Sequence, residues 1–208
     1  MKLAYQLFHL DGVSPERDAN AKEVRASLTI SDLESPTLSV GNIPDTFSFP
    51  QHFKPGEKGL WYSTYVALHN FLKTDFDALL ILEDDILLEK DFLAGAQGYI
   101  DRLPLMWDFF YQYVHPWQGE HNYRDEHDYG DTKVCRSYQV WSNACFWVSR
   151  AGAKKLLDEL NGYMIEDAID WHILKRGMTR EWGVYTLKPN TEMFCNIAGF
   201  TTTIQDGA

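Results

Sequence analysis

Three consecutive acids, Glu83-Asp84-Asp85, follow directly on the aliphatic run Ala78-Leu79-Leu80-Ile81-Leu82. Side chains alternate along an extended strand, so Glu83 and Asp85 can project to one side while Asp84 points to the other. Two convergent carboxylates suit a hard divalent cation, Mn²⁺ or Mg²⁺, that takes its remaining ligands from phosphate and water. Without such a cation, adjacent carboxylates beside a buried strand repel one another. A solvated acidic turn that opens a helix and complements its macrodipole is the competing reading.

A second acidic group lies in Ile165-Glu166-Asp167-Ala168-Ile169-Asp170-Trp171-His172. Asp167 and Asp170 are three apart, and Glu166 and Asp170 four apart, so one helical face would gather them. Asp167 or Asp170 could take the proton from an attacking sugar hydroxyl. Charge compensation at a helix start explains the same acids as well. His172 offers an imidazole as a third metal ligand, against the plainer role of a packed or surface histidine. The segment from His115 to Lys133 carries His115, His121 and His127 among acids, matches no zinc spacing and reads as a long exposed loop. Gly95-Ala96-Gln97-Gly98 has too few glycines for a dinucleotide fingerprint, and neither a phosphate-binding P-loop nor a nucleophile elbow occurs. Trp107, Trp117, Trp141 and Trp147 divide between core and ligand-stacking roles.

These groups need a frame, and hydrophobic periodicity predicts one. Leu3–Leu10 reads as a strand, followed by an Asp11-Gly12 turn and a helix that starts at Ser14-Pro15-Glu16. Thr37–Val40 is a short strand candidate, and Gly41–Pro55, with three prolines, is loop. From Gly59, Leu60, Trp61, Tyr65, Leu68, Phe71 and Leu72 share one helical face. The continuous run Ala78–Leu82 is what a central strand covered on both faces looks like. Further strands are expected at Asp108–Tyr113, Val134–Tyr138, Ala144–Val148 and Val184–Leu187. A helix capped by Ser149 runs to Asn161-Gly162, and another spans Glu166–Arg176. Strands alternating with helices imply an α/β layered sheet, and ligands of such sheets bind beyond the carboxyl ends of the strands, where Glu83–Asp85 falls.

Composition bounds the chemistry. The 208 residues suit one domain, 1–208, of ordinary soluble character. A formal charge of −11 repels a phosphate backbone, so nucleic acid is not an expected partner, whereas a cation can still bridge the acids to a nucleotide diphosphate. The same charge disfavours a metal-dependent nuclease or phosphoryl-transfer enzyme, which needs a basic groove. No apolar run reaches the ~18 residues of a membrane span, the N-terminus has no export-signal pattern, and Cys135, Cys145 and Cys195 form no disulfide framework. A cytoplasmic protein is the expectation.

Taken in order, several segments resemble the lipopolysaccharide-type glycosyltransferases of family 25, which include the collagen galactosyltransferases. Gly56-Glu57-Lys58-Gly59-Leu60-Trp61-Tyr62-Ser63 is similar to that family's G-E-x-G-C-x-x-S-H stretch, with Leu60 in place of its Cys and Thr64 in place of its His. Leu80-Ile81-Leu82-Glu83-Asp84-Asp85 is similar to its I-L-E-D-D segment, Ala144–Leu157 to its strand-then-helix block, and Ile169-Asp170-Trp171 to its later aspartate. The resemblance implies a GT-A fold, inversion at the anomeric carbon, and a nucleotide-sugar donor, usually a UDP-hexose such as UDP-galactose. The acceptor would be a hydroxyl of a glycan, lipid-linked or protein substrate. Glu57, Ser63, Glu83 and Asp84 would hold the donor; Glu83 and Asp85, with His172 as a possible addition, the metal; and Asp167 or Asp170 would be the base. Helix-start roles for Glu57 and Ser63 compete with donor binding. A nucleotide-sugar or glycan-binding protein without turnover is the alternative function.

Overall fold

The computed structural model describes residues 1–10, 12, 14–33, 43–44, 47–113, 131–137, 142–160, 165–188 and 191–199. The expected strand at Thr37–Val40, the Asp11 turn, most of the histidine-bearing loop, Trp117, Trp141 and the Asn161-Gly162 stop lie outside these residues.

The chain forms strands β1 (Leu3–Phe8), β2 (Ser31–Asp32), β3 (Ala78–Glu83), β4 (Ile86–Leu88), β5 (Phe109–Tyr111), β6 (Val134–Arg136), β7 (Cys145–Ser149), β8 (Val184–Leu187) and β9 (Cys195–Ile197). The helices are α1 (Pro15–Ser27), α2 (Pro55–Leu72), α3 (Phe92–Ile100), α4 (Arg150–Leu160) and α5 (Ile169–Met178). Seven strands make one mixed sheet in the order β2-β1-β3-β7-β5-β8-β6, and β4 and β9 pair separately. The α/β layered fold expected from the sequence is therefore present.

Strands β1, β2, β3, β5 and β8 run one way, while β7 and β6 run the other. β1 lies between β2 and β3, so the chain leaves β1 toward one neighbour and returns to the other. The helices follow that split. α1 and α3 pack with Ala78, Leu80 and Leu82 on one face of β3, and α2, α4 and α5 pack with Leu79 and Ile81 on the other. All five of these β3 side chains are fully buried, which explains the uninterrupted aliphatic run. Helices on opposite faces of adjacent β1 and β3 leave a crevice beyond the carboxyl ends of both strands, the switch point where α/β sheets hold ligands.

Three local features differ from the sequence reading, each for an identifiable reason. α2 begins at Pro55, four residues before Gly59, because proline at the first helical position loses no hydrogen bond and Glu57 caps the Lys54 amide at 2.7 Å. α5 begins at Ile169, so Glu166 and Asp167 precede the helix and share no helical face with Asp170. The short strands β2 and β4, of two and three residues, lie below the length at which alternation is legible. Ser14 and Ser149 act as expected, accepting from the Arg17 and Gly152 amides respectively.

α4 lies close against the start of β5 because residue 152 is glycine. A Cβ there would stand 2.3 Å from the Asp108 carbonyl oxygen, which already accepts the Ser149 amide. Gly152→Ala should therefore cost about 1–3 kcal/mol in urea unfolding. Gly98→Ala, on α3 with open space around the new methyl, should instead stabilise by about 0.5–1 kcal/mol.

Candidate functional site at the carboxyl edge of the sheet

Register brings β1 and β3 to the same edge, with Phe8 opposite Glu83. The acidic run thus stands beside His9, and the Glu83 amide is tied across to the Ala144 carbonyl at 3.0 Å, ahead of β7. α1 is the next element after β1, and side chains of its first turns reach this edge. Asn20 Nδ2 donates to the carbonyls of Asp84 (2.9 Å) and Ile86 (2.8 Å), which fixes the turn between β3 and β4. From the other side, the Ala198 amide after β9 donates to the Asp85 carbonyl at 2.7 Å.

The carboxylates have different partners. Asp84 is buried and receives Arg17 Nη1 at 2.5 Å and His9 Nδ1 at 2.8 Å. The other ring nitrogen of His9 lies 3.1 Å from Asp18. Asp85 is buried as well, with Oδ2 3.7 Å from Arg17 Nη2 and Oδ1 without a hydrogen-bond partner among the described residues. Burial, then the charges of Asp85, Asp84 and Asp170, push the Glu83 carboxyl up to about 8 against the opposing pull of Arg17. Burial also raises Asp85. The compensating groups His9, Arg17 and Asn20 were not among the site residues expected from the sequence. Their signal is the spacing of Arg17 and Asn20 on the first turns of a helix that directly follows the first strand.

The two candidate bases are separated by the fold. Asp170, at the first turn of α5, is raised mainly by burial; its Oδ2 accepts the Ser142 amide at 3.2 Å and its Oδ1 the Trp171 amide at 2.9 Å. Its charge is felt by Glu83 at the end of β3, and Glu57 at the start of α2 bears on it in turn. Ser142 holds a φ of 116°, a conformation that costs a non-glycine residue about 1–3 kcal/mol, while its amide faces Asp170. The buried Tyr111 hydroxyl also feels Asp170 and has no hydrogen-bond partner among the described residues. Asp167 instead pairs with Lys175 Nζ at 2.5 Å, and its carbonyl accepts Trp61 Nε1 at 2.9 Å.

His172 is held away from the acids of β3. Its Nε2 meets Glu159 at 2.7 Å beside Arg176, and its ring packs edge-on against Trp61 and Trp182. Burial lowers its pKa. Glu57 caps α2, and Ser63 lies half-buried further along that helix. Trp147 is core, its indole donating to Gln112 Oε1 at 2.9 Å, and Trp107 is also buried.

Among the described residues, no three His, Cys, Asp or Glu side chains converge as an all-protein metal cage. The donor set at the edge does fit a hard cation of the kind that keeps water and phosphate ligands. It consists of carboxylates only, one of them has a buried oxygen with no hydrogen-bond partner among the described residues, and burial raises both Glu83 and Asp85.

No family model matches the chain, and no curated protein matches it. Among solved structures it is similar to the protein A197 from STIV, at 14% identity and a TM-score of 0.47 over 90% of this chain and 82% of that one. It is also similar to a Drosophila β-1,4-galactosyltransferase 7 mutant, described in complex with manganese, UDP-Gal and xylobiose. That match has 13% identity and a TM-score of 0.45 over 92% of this chain and 67% of that one.

The raised carboxyls give a signed pH dependence. Glu83 binds its proton up to about 8 when folded and to about 4.5 when unfolded, so the native state holds more protons in between and stability falls as pH rises through that window. Asp85 and Asp170 act in the same direction. Urea unfolding from pH 4.5 to 8 should show this decline in the wild type, and Glu83→Gln should make it shallower and raise stability at pH 8. Equal slopes in the two proteins would remove Glu83 as its source.

Proposed function

We propose that the chain transfers a sugar from a nucleotide-diphosphate donor, such as a UDP-hexose, to an acceptor hydroxyl, with inversion, in a GT-A-like arrangement. The observation that supports this reading is the pairing of a buried carboxylate cluster at the β1/β3 switch point with a further, half-buried carboxylate, Asp170, whose charge reaches Glu83. The order of sequence segments that resembles family 25 transferases supports it independently.

In this reading Glu83 and Asp85 hold a Mn²⁺ or Mg²⁺ ion, which when bound supplies positive charge to the departing diphosphate. Arg17 pairs with Asp84 and His9 hydrogen-bonds to it, so that the turn after β3 stays in place before any ligand arrives. Asp170 takes the proton from the acceptor hydroxyl. Its pKa, raised by burial, suits it to that task better than Asp167, which is paired with Lys175. The Ser142 amide orients the Asp170 carboxylate, leaving the positioning of Trp61 and the α5 approach to Asp167. His172 serves packing and pairing with Glu159 and is not assigned to the metal. The acceptor, whether a glycan, a lipid-linked sugar or a protein, would lie on the Asp170 side.

Thermal-shift titration with UDP, with and without Mn²⁺, tests the donor site. Wild-type protein should gain about 2.7 kcal/mol at a hundredfold excess over Kd only when Mn²⁺ is present, and Asp85→Asn should gain nothing. Asp170→Asn should keep the UDP and Mn²⁺ shift while losing about a hundredfold or more of UDP-sugar turnover. A shift unaffected by Asp85→Asn would refute the site, and metal-dependent binding without turnover of any UDP-sugar would make the protein a binder.

A further inference from the structure

All three cysteines are buried thiols, yet two from distant parts of the chain meet. Cys145 opens β7 at the centre of the sheet, Cys195 opens β9, and the two thiols interact inside the apolar cluster that also contains Leu82, Ile86 and Tyr113. We propose that Cys145 and Cys195 are a reversible disulfide site that fastens β9 to the central sheet beside the acidic edge.

β4 and β9 form a sheet of only two strands, with three residues in each, an arrangement of marginal stability by itself. The strap is seated by a few contacts. Tyr99 donates to the Glu192 carbonyl at 2.6 Å, and Gln112 Nε2 reaches the Met193 carbonyl at 3.4 Å. The Phe194 ring fills the space that a side chain at Gly95 would take. Phe194 itself has a left-handed φ of 56°, which lowers the cost of releasing it. Lifting this segment is a local opening that leaves the seven-stranded sheet paired, and it uncovers both sulfurs together. Cys135 is placed differently: it sits on β6, beyond β5 and β8 from β7, and its neighbour Val134 is the residue that faces the cluster holding the pair.

Burial raises the Cys145 thiol well above its ordinary range, so the closed pair is unreactive and exchange proceeds from the opened strap. Glutathione disulfide is a sufficient oxidant. One deprotonated sulfur attacks it, forming a mixed disulfide and releasing one glutathione thiolate. The second protein thiolate then displaces the other glutathione. The protein loses two electrons and two protons, and one glutathione disulfide becomes two glutathione thiols. The link closes a loop of about fifty residues, long enough for a substantial constraint on the unfolded chain.

The test uses the full chain equilibrated with glutathione disulfide, alone and in sub-denaturing urea, then acid-quenched and assayed for free thiols. Two of the three thiols should disappear, faster in urea, and peptide mapping without reductant should join Cys145 to Cys195. The thermal midpoint should rise by several degrees and return on reduction by dithiothreitol. Neither Cys145→Ser nor Cys195→Ser should form an internal link or gain stability on oxidation. Persistence of all three thiols in urea, a link through Cys135, or a lowered midpoint on oxidation would each overturn the proposal. None of these readouts depends on nucleotide binding or turnover.

Discussion

The burial of several carboxylates at the end of the central strand is the constraint to which the rest of the molecule answers. β3 is covered on both faces, so the chain cannot leave it without carrying Glu83, Asp84 and Asp85 out of a region almost empty of water. Charges so placed repel each other and lose solvation together. One guanidinium, Arg17, lies between Asp84 and Asp85 and limits the damage, assisted by His9. That arrangement uses α1, the element after β1, with Ser14 capping it so that Arg17 falls on the first turn. Asn20, one turn on, then holds the backbone that presents the acids. The remaining imbalance is borne by Glu83, whose carboxyl keeps its proton up to about 8.

The opposite face supplies rigidity. α2, α4 and α5 pack through aromatic side chains: Phe109 stacks on Trp182 at 5.4 Å, Tyr111 on Phe146 at 5.2 Å, and His172 lies between Trp61 and Trp182. The Trp61 indole, anchored to the Asp167 carbonyl, sets where the chain enters α5 and hence where Asp170 stands. The excess of tryptophan in the sequence therefore has a structural explanation at Trp61, Trp107, Trp147 and Trp182, all of which are buried.

Much of this was legible in the sequence because it follows from periodicity. β3 announced itself by five consecutive aliphatics, α2 by its apolar stripe, and α4 by its serine cap and leucines. The position of Glu83–Asp85 at a strand's carboxyl end followed from the same pattern. What was not legible depends on distance in the chain. Nothing local to Arg17 says that it will meet Asp84, 67 residues away, nor does Cys145 announce Cys195. The separation of Asp167 from Asp170 was hidden for a different reason. Their spacing suits a helix, but the segment stays non-helical until Ile169, with the Trp61 hydrogen bond taking the Asp167 carbonyl. Tertiary contacts overrode a pattern that was locally consistent.

The direction of β7 has a consequence for how such a molecule can change. Placed antiparallel between β3 and β5, it starts at the acidic edge where its neighbours finish. The chain therefore arrives at that edge through the residues before Cys145 and departs from it after β1, β3, β5 and β8. Each of these joins is a separate stretch of chain, and lengthening one leaves the pairing of the strands untouched. Ser142, strained and facing Asp170, sits on the arriving stretch. Residues that meet a new ligand can thus be exchanged on one side of the sheet while the side chains that stabilise it stay as they are. In this architecture, diversification and folding draw on different parts of the sequence.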